Sequence, residues 1–281
     1  MISRDSSVGW TMFSKAIVRP PCTRFAEGLT TINLGAPNYA RALQQHAAYC
    51  KALEECGLTL TRLEADERYP DSTFVEDTAV VMRALPHAQA PALATSPTRA
   101  IRTRPGACSR AGEVESIAEV LSRFFSELHS IQEPGTLEGG DVCEAQDHFF
   151  IGVSERTNET GAHQLAKLLA SDGYTSSFVD IRTVKNVLHL KSGLAYLGNN
   201  RLAVIDGLAD HQAFRRYDLV RVNAMEQYAA NCVRINDYVL VADGFPKFEG
   251  ALQNRGYQTI SVEMTEFQKM DGGLSCLSLR F

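Results

Sequence analysis

The chain predicts a mixed α/β protein built from repeated units, and three observations say so. Amphipathic helical segments recur every ~40–60 residues, a spacing typical of repeated supersecondary units. Short β-like runs fill the intervals in pairs, separated by turn-forming residues. No Pro-, Gly- or Ser-rich linker divides the 281 residues, of which 44% are hydrophobic and 22% charged, so one domain over 12–281 is expected.

Taken in order, residues 1–11 lack an apolar core and are expected to be a disordered extension, with Met12-Phe13 opening a more strand-like run. Residues 38–56 form the first helix, with Ala40, Leu43, Ala47, Cys50 and Leu53 near helical spacing and Gly57 as its C-terminal cap. The runs 74–82 and 100–103 form a strand pair around a low-complexity insertion at 85–97. A helix is expected over 113–129, then a second strand pair, 136–144 with 149–154, and a third helix over 157–171 ending before Gly173. Two more pairs follow, 187–197 with 201–206 and 232–236 with 238–243, beside weaker helices at 211–217 and 247–255. Gln146-Asp147, Asn199-Asn200 and Asn236-Asp237 supply the turn chemistry between paired strands.

Composition narrows the function. A net charge of −5 gives no basic footprint for nucleic acid, and no apolar run is long enough to span a bilayer. Seven cysteines, without a CxxC pair, fit reduced thiols in a cytoplasm better than disulfides or a zinc site. Cys276 follows Gly272-Gly273 on a short alternating stretch, where glycine permits close approach of a ligand. Taken alone, such a cysteine is more often structural.

Upstream, Glu76 and Asp77 fall on opposite faces of a strand-like run, so one points inward. An inward carboxylate requires a cation, and two readings stand equally: an arginine of this chain, or a bound guanidinium. Leu137-Glu138-Gly139-Gly140-Asp141 is a second acidic site at a glycine bend, a pattern commonly left to solvent. Among the seven histidines, His189 is the one buried in a strand-like run and the best partner for a cysteine nucleophile, whereas His46, His163 and His211 sit in helical, exposed contexts. Arg110 and Arg156 each precede a helix, where the dipole disfavours a cation unless an anion is to be bound.

Seven motifs then occur in one order: Phe74-Val75-Glu76-Asp77, Arg104-Pro105-Gly106-Ala107, Leu137-Glu138-Gly139-Gly140-Asp141, Arg156-Thr157-Asn158, Leu188-His189-Leu190-Lys191, Ala230-Asn231-Cys232 and Gly273-Leu274-Ser275-Cys276. Together they resemble the dimethylarginine dimethylaminohydrolases, in their bacterial branch, over 12–281. The tail Ser275-Cys276-Leu277-Ser278-Leu279-Arg280-Phe281 is similar as well.

The resemblance implies a five-bladed α/β propeller, the pentein fold, with its active site at the central channel. It implies hydrolysis of Nω-methylated arginines to citrulline and a methylamine, with no metal or organic cofactor. By position, Cys276 is implied as nucleophile, His189 as general acid and base, and Glu138 as the partner that orients it. Asp77 with Glu76 would bind the guanidinium, and Asp71 with the Leu29 carbonyl the α-amino group. Arg110 and Arg156 would take the α-carboxylate, and Met270 would add a backbone contact. A cytoplasmic homodimer is also expected. The rivals are another guanidine-modifying enzyme, such as an arginine deiminase, and a non-catalytic arginine-binding protein.

Overall fold

The computed structural model describes residues 12–83 and 98–281. Expectations for 1–11 and for the insertion at 85–97 lie outside the described residues.

The elements run β1 (Lys15–Val18), α1 (Tyr39–Glu55), β2 (Thr59–Arg62), β3 (Ala79–Arg83), β4 (Thr98–Arg102), α2 (Glu113–Leu121) and β5 (Leu128–Ser130). They continue with β6 (Val142–Ala145), β7 (His148–Val153), α3 (Glu159–Ser171), β8 (Thr175–Asp180), β9 (Leu194–Gly198), β10 (Arg201–Ile205) and β11 (Asp218–Val222). The last are β12 (Val233–Ile235), β13 (Tyr238–Ala242), α4 (Pro246–Gln253), β14 (Gln258–Val262), α5 (Thr265–Gln268) and β15 (Leu279–Arg280).

These strands form five three-stranded sheets of one design. In β3-β4-β5, β6-β7-β8, β9-β10-β11 and β12-β13-β14, the first two strands are antiparallel and the third runs parallel to the second. The remaining sheet has the same order, but its first strand is β15, antiparallel to β1, with β2 parallel to β1. The two chain ends thus complete one blade, and the molecule is a five-bladed α/β propeller. The first strands lie inward, β15 against β3, β6 against β9 and β9 against β12.

Middle strands such as β7 and β13 are almost wholly buried, because a helix or turn covers one face and a neighbouring blade the other. Asn38 caps α1 by accepting from the Arg41 N–H at 2.9 Å, and Gly57 follows the helix at φ +91°. Asn199 and Asn200 both take positive φ, closing the two-residue hairpin between β9 and β10.

Four sequence expectations need correction. The weak helix expected at 211–217 is only a 3₁₀ turn, Gln212–Phe214. The helix expected over 113–129 stops at Leu121, and Leu128–Ser130 instead supplies β4 with the parallel partner its backbone requires. His46 is buried rather than exposed, on the core side of α1. The strand-like runs beginning at 74, 136 and 187 are not continuous strands. Each is broken by a 3₁₀ turn before the inner strand: Val75–Thr78 before β3, Gly139–Asp141 before β6 and Leu190–Ser192 before β9. The 3₁₀ segments Ala224–Ala230 and Ser275–Leu277 precede β12 and β15 in the same way.

Candidate active site

The 3₁₀ turns at the heads of the inner strands carry the candidate catalytic side chains. Asp77 sits on the first, Glu138 caps the second, His189 caps the third and Cys276 lies in the last. A narrow pocket of about 20 Å³ collects Leu29, Asp71, Asp77, Arg110, Arg156, His189, Met270 and Cys276. Nine of the ten residues expected at the site thus meet in one place, eight on the pocket wall and Glu138 behind His189.

His189 Nε2 and Glu138 Oε2 are 2.7 Å apart, with Glu138 fully buried. The other Glu138 oxygen accepts from the Gly106 N–H at 3.0 Å, which fixes the carboxylate plane. Behind the histidine, Asp141 accepts from the Leu190 N–H at 2.9 Å and from Ser154 Oγ at 2.7 Å. Burial opposes charging His189, but the Asp77, Asp141 and Glu138 carboxylates outweigh it and raise its pKa to about 9. The resting histidine is therefore an imidazolium at neutral pH.

Asp77 accepts from Arg110 Nη1 at 2.7 Å and from the Gly140 N–H at 2.9 Å. Against the penalty of burial, His189 and Arg110 hold its pKa down at about 2, so it stays a carboxylate. Gly140 must be glycine: a Cβ there would stand 2.7 Å from the His189 ring and 2.8 Å from Asp77 Oδ1. Cys276 is buried, and burial with the Glu76 and Asp77 carboxylates pushes its pKa up to about 12. At neutral pH Cys276 is therefore a neutral thiol.

Leu29 donates its N–H to the Asp71 carboxylate at 3.1 Å. The loop around it is tied down by Thr30 Oγ1 to the Lys269 carbonyl at 3.0 Å and by Thr31 to Asp271.

Two expectations are redirected by the geometry. Glu76 does not line this pocket. Its carboxylate meets Lys191 Nζ at 2.7 Å, Arg280 Nη2 at 2.9 Å and Ser275 Oγ at 2.8 Å, on the wall of a separate cavity of about 160 Å³. The 3₁₀ turn separates neighbouring side chains into different compartments, as the expected alternation would also have done. Arg110 lines the pocket, but Glu113, Asp77 and the Asp71 and Phe74 carbonyls already occupy its donors. Of the two arginines, Arg156 has more donors to spare, its Nη1 standing 3.7 Å from Glu138. The residues that sequence reasoning did not single out are Asp141, Lys191, Asn231 and Ser275. All four lay inside quoted motifs, but only proximity in the fold gives them partners.

Asp77, Glu138 and His189 bring donor atoms within 4.8 Å of one another, a spacing that would suit a metal ion. Here their mutual hydrogen bond, Arg110 and the Gly140 and Gly106 N–H groups already use those atoms.

Comparison with known proteins decides the family. The chain is 42% identical over 271 residues to the N(G),N(G)-dimethylarginine dimethylaminohydrolase of Pseudomonas aeruginosa, covering 96% of this chain and all of that protein. The chain belongs to the dimethylarginine dimethylaminohydrolase family. The enzyme of that name from Streptomyces coelicolor is 33% identical over 269 residues, covering 95% of this chain and 96% of its own. A crystal structure of the Pseudomonas aeruginosa family member, a cysteine-to-serine variant complexed with citrulline, superposes with a TM-score of 0.87 at 41% identity, covering 96% of this chain and all of that one. A histidine-to-glycine variant bearing an S-methyl-L-thiocitrulline adduct gives 0.86, with the same identity and coverage. A model of the arginine deiminase family matches residues 118–233. The N-terminal domain of a cyanobacterial arginine dihydrolase shares the fold, with a TM-score of 0.81 at 17% identity over 95% of this chain and 96% of that one.

Proposed function

We propose that this chain hydrolyses Nω,Nω-dimethyl-L-arginine and Nω-monomethyl-L-arginine to L-citrulline and dimethylamine or methylamine. The observation that carries this reading is a single pocket holding a thiol, an imidazolium paired with a buried carboxylate, and a second carboxylate, Asp77, beside both.

In this reading Asp77 holds the substrate guanidinium over the Cys276 sulfur, Asp71 and the Leu29 carbonyl take the α-amino group, and Arg156 on the wall shared with Arg110 takes the α-carboxylate. Met270 adds a main-chain contact. The bound cation stabilises the thiolate, so Cys276 loses its proton to solvent as substrate binds. The thiolate attacks the guanidinium carbon, and a neutral tetrahedral adduct forms. His189 donates its proton to the methylated nitrogen, the C–N bond breaks and the amine leaves. A cationic S-alkylthiouronium remains on Cys276. Water adds to its carbon and gives its proton to the now neutral His189. The C–S bond then breaks as the adduct's hydroxyl proton passes to the departing sulfur, releasing citrulline and restoring the neutral Cys276 thiol.

Residues 12–281 would act as one catalytic unit, because β15 completes the blade that β1 begins. The resemblance also supports a homodimer acting in the cytoplasm. Among the described residues no helix is long and apolar enough to cross a membrane.

The match to the arginine deiminase model keeps unmethylated arginine as the competing substrate. Citrulline release from dimethylarginine, monomethylarginine and arginine, measured in parallel with chelator present, separates the readings. Turnover of the methylated substrates is expected. Preference for arginine would move the chain to the deiminases, and binding without turnover would make it a non-catalytic arginine-binding protein.

A further inference from the structure

Asp77, His189 and Cys276 come from three different blades, and their chemistry depends on how well the three turns are held in register. Asn231, from the Ala230-Asn231-Cys232 motif, is not among the residues of the pocket. It is buried just before β12, with every side-chain bond directed at the catalytic turns. Its Nδ2 donates to the Lys191 carbonyl at 3.0 Å, on the His189 turn, and to Ser275 Oγ at 3.2 Å, on the Cys276 turn. Its Oδ1 accepts from the Ser275 N–H at 2.8 Å. Ser275 Oγ in turn donates to Glu76 Oε2 at 2.8 Å, on the Asp77 turn, and stands 4.0 Å from Cys276 Sγ.

One amide therefore joins two of the catalytic turns, and through the serine hydroxyl it reaches the third. The orientation of the amide is forced, since a carbonyl demands the NH₂ end and a backbone N–H the oxygen. Its approach requires Gly273, where a Cβ would lie 2.5 Å from the Asn231 Cγ.

We propose that Asn231 is a positioning residue that, with Ser275, clamps the nucleophile turn against the acid–base turn. The inference rests on Cys276 and His189 having the roles given above. It assigns Asn231 no contact with substrate, so its loss changes turnover rather than binding.

The test is steady-state kinetics of Asn231→Ala, Ser275→Ala and the double variant on dimethylarginine, with Val233→Ala as a control for buried truncation in the adjacent strand. Asn231→Ala is expected to lower kcat roughly 100-fold with KM within about threefold, the effect of a small misplacement of reacting groups. Ser275→Ala should lower kcat roughly 10-fold, and the double variant should fall no more than about threefold below Asn231→Ala, since both act through one network. Val233→Ala should lower the melting temperature while keeping kcat within about twofold. If Asn231→Ala does not fold, Asn231→Ser and Ser275→Ala carry the same comparison.

An unchanged kcat in Asn231→Ala beside an active wild type overturns the clamp and leaves the hydrolase reading intact. So does full additivity in the double variant, or a kcat loss in Val233→Ala matching that of Asn231→Ala. A wild type silent on every methylated arginine overturns the hydrolase reading and the clamp with it.

Discussion

The pocket and the cavity that Glu76 lines are walled by neighbouring residues of the same turns, Glu76 beside Asp77 and Ser275 beside Cys276, yet they settle their charges in opposite ways. On the cavity side, Glu76 is matched by two cations of the protein itself, Lys191 and Arg280. On the pocket side, Asp71, Asp77, Glu113, Glu138 and Asp141 crowd around Arg110, Arg156 and an imidazolium. Burial, with neighbouring acids, pushes Asp71 up and raises Glu113 to about 6, and these carboxylates outnumber the cations they face. A methylarginine, with a guanidinium and an ammonium against one carboxylate, supplies what is missing. Neighbouring residues on one turn thus meet the protein's own cations on one face and, under the proposed function, a substrate cation on the other.

The largest expected effect concerns the two residues that only the pocket side can use. Cys276→Ser should lower citrulline production by at least roughly a thousandfold, as loss of a nucleophile does elsewhere. His189→Gly should lose turnover while Cys276 remains open to alkylation by iodoacetamide, read by mass spectrometry of its peptide. Citrulline production at the wild-type rate by either variant would remove that residue from its role.

A paired substitution across the wall sharpens the contrast. Asp77→Asn should lower kcat/KM roughly 30- to 1,000-fold, because it takes the anion from beneath a buried cation. Glu76→Gln leaves an acceptor for Ser275 but strips Lys191 and Arg280 of their counter-charge. Its loss should appear as about 3 kcal/mol of stability, a fall of roughly 5–10 °C in Tm, with kcat/KM within about tenfold of wild type. Equal losses of kcat/KM in both variants would mean that Glu76 and Asp77 bind the guanidinium together.

Much of this arrangement was legible in the sequence, and what was not has a physical cause. Helix α1 announced itself through Asn38 and Gly57, and the β9–β10 hairpin through Asn199-Asn200, because caps and tight turns are decided by local backbone geometry. The outer strands β2 and β8 were invisible: Thr59–Arg62 and Thr175–Asp180 are partly exposed, polar, and held by a parallel neighbour distant in sequence. The 3₁₀ turns were read as strand because apolar residues flank Asp77 and His189 in an alternating pattern. Nine of the ten residues that the resemblance implies lie together in the fold. Motif order could not show that Glu76 turns away to Lys191 and Arg280, that Arg110 is engaged by Glu113, or that Asn231 has work to do. Each depends on partners from other blades.

The smallest effect is a shift in pH dependence, and it separates the two faces again. Carboxylates on the pocket side raise His189 above its ordinary 6.5 to about 9, so the proton that the proposed mechanism passes to the leaving amine is present below that pH and lost above it. The alkaline limb of kcat/KM should therefore fall near pH 9 in the wild type. Glu138→Gln removes one of the charges that hold the proton, and the limb should move down by about one pH unit while the rate also falls. Glu76→Gln removes a carboxylate of the cavity side, which is not among the charges that raise His189, and its limb should stay in place. A limb that moves equally in both variants would mean that the wall does not separate their fields; one that moves in neither would assign it to a group other than His189.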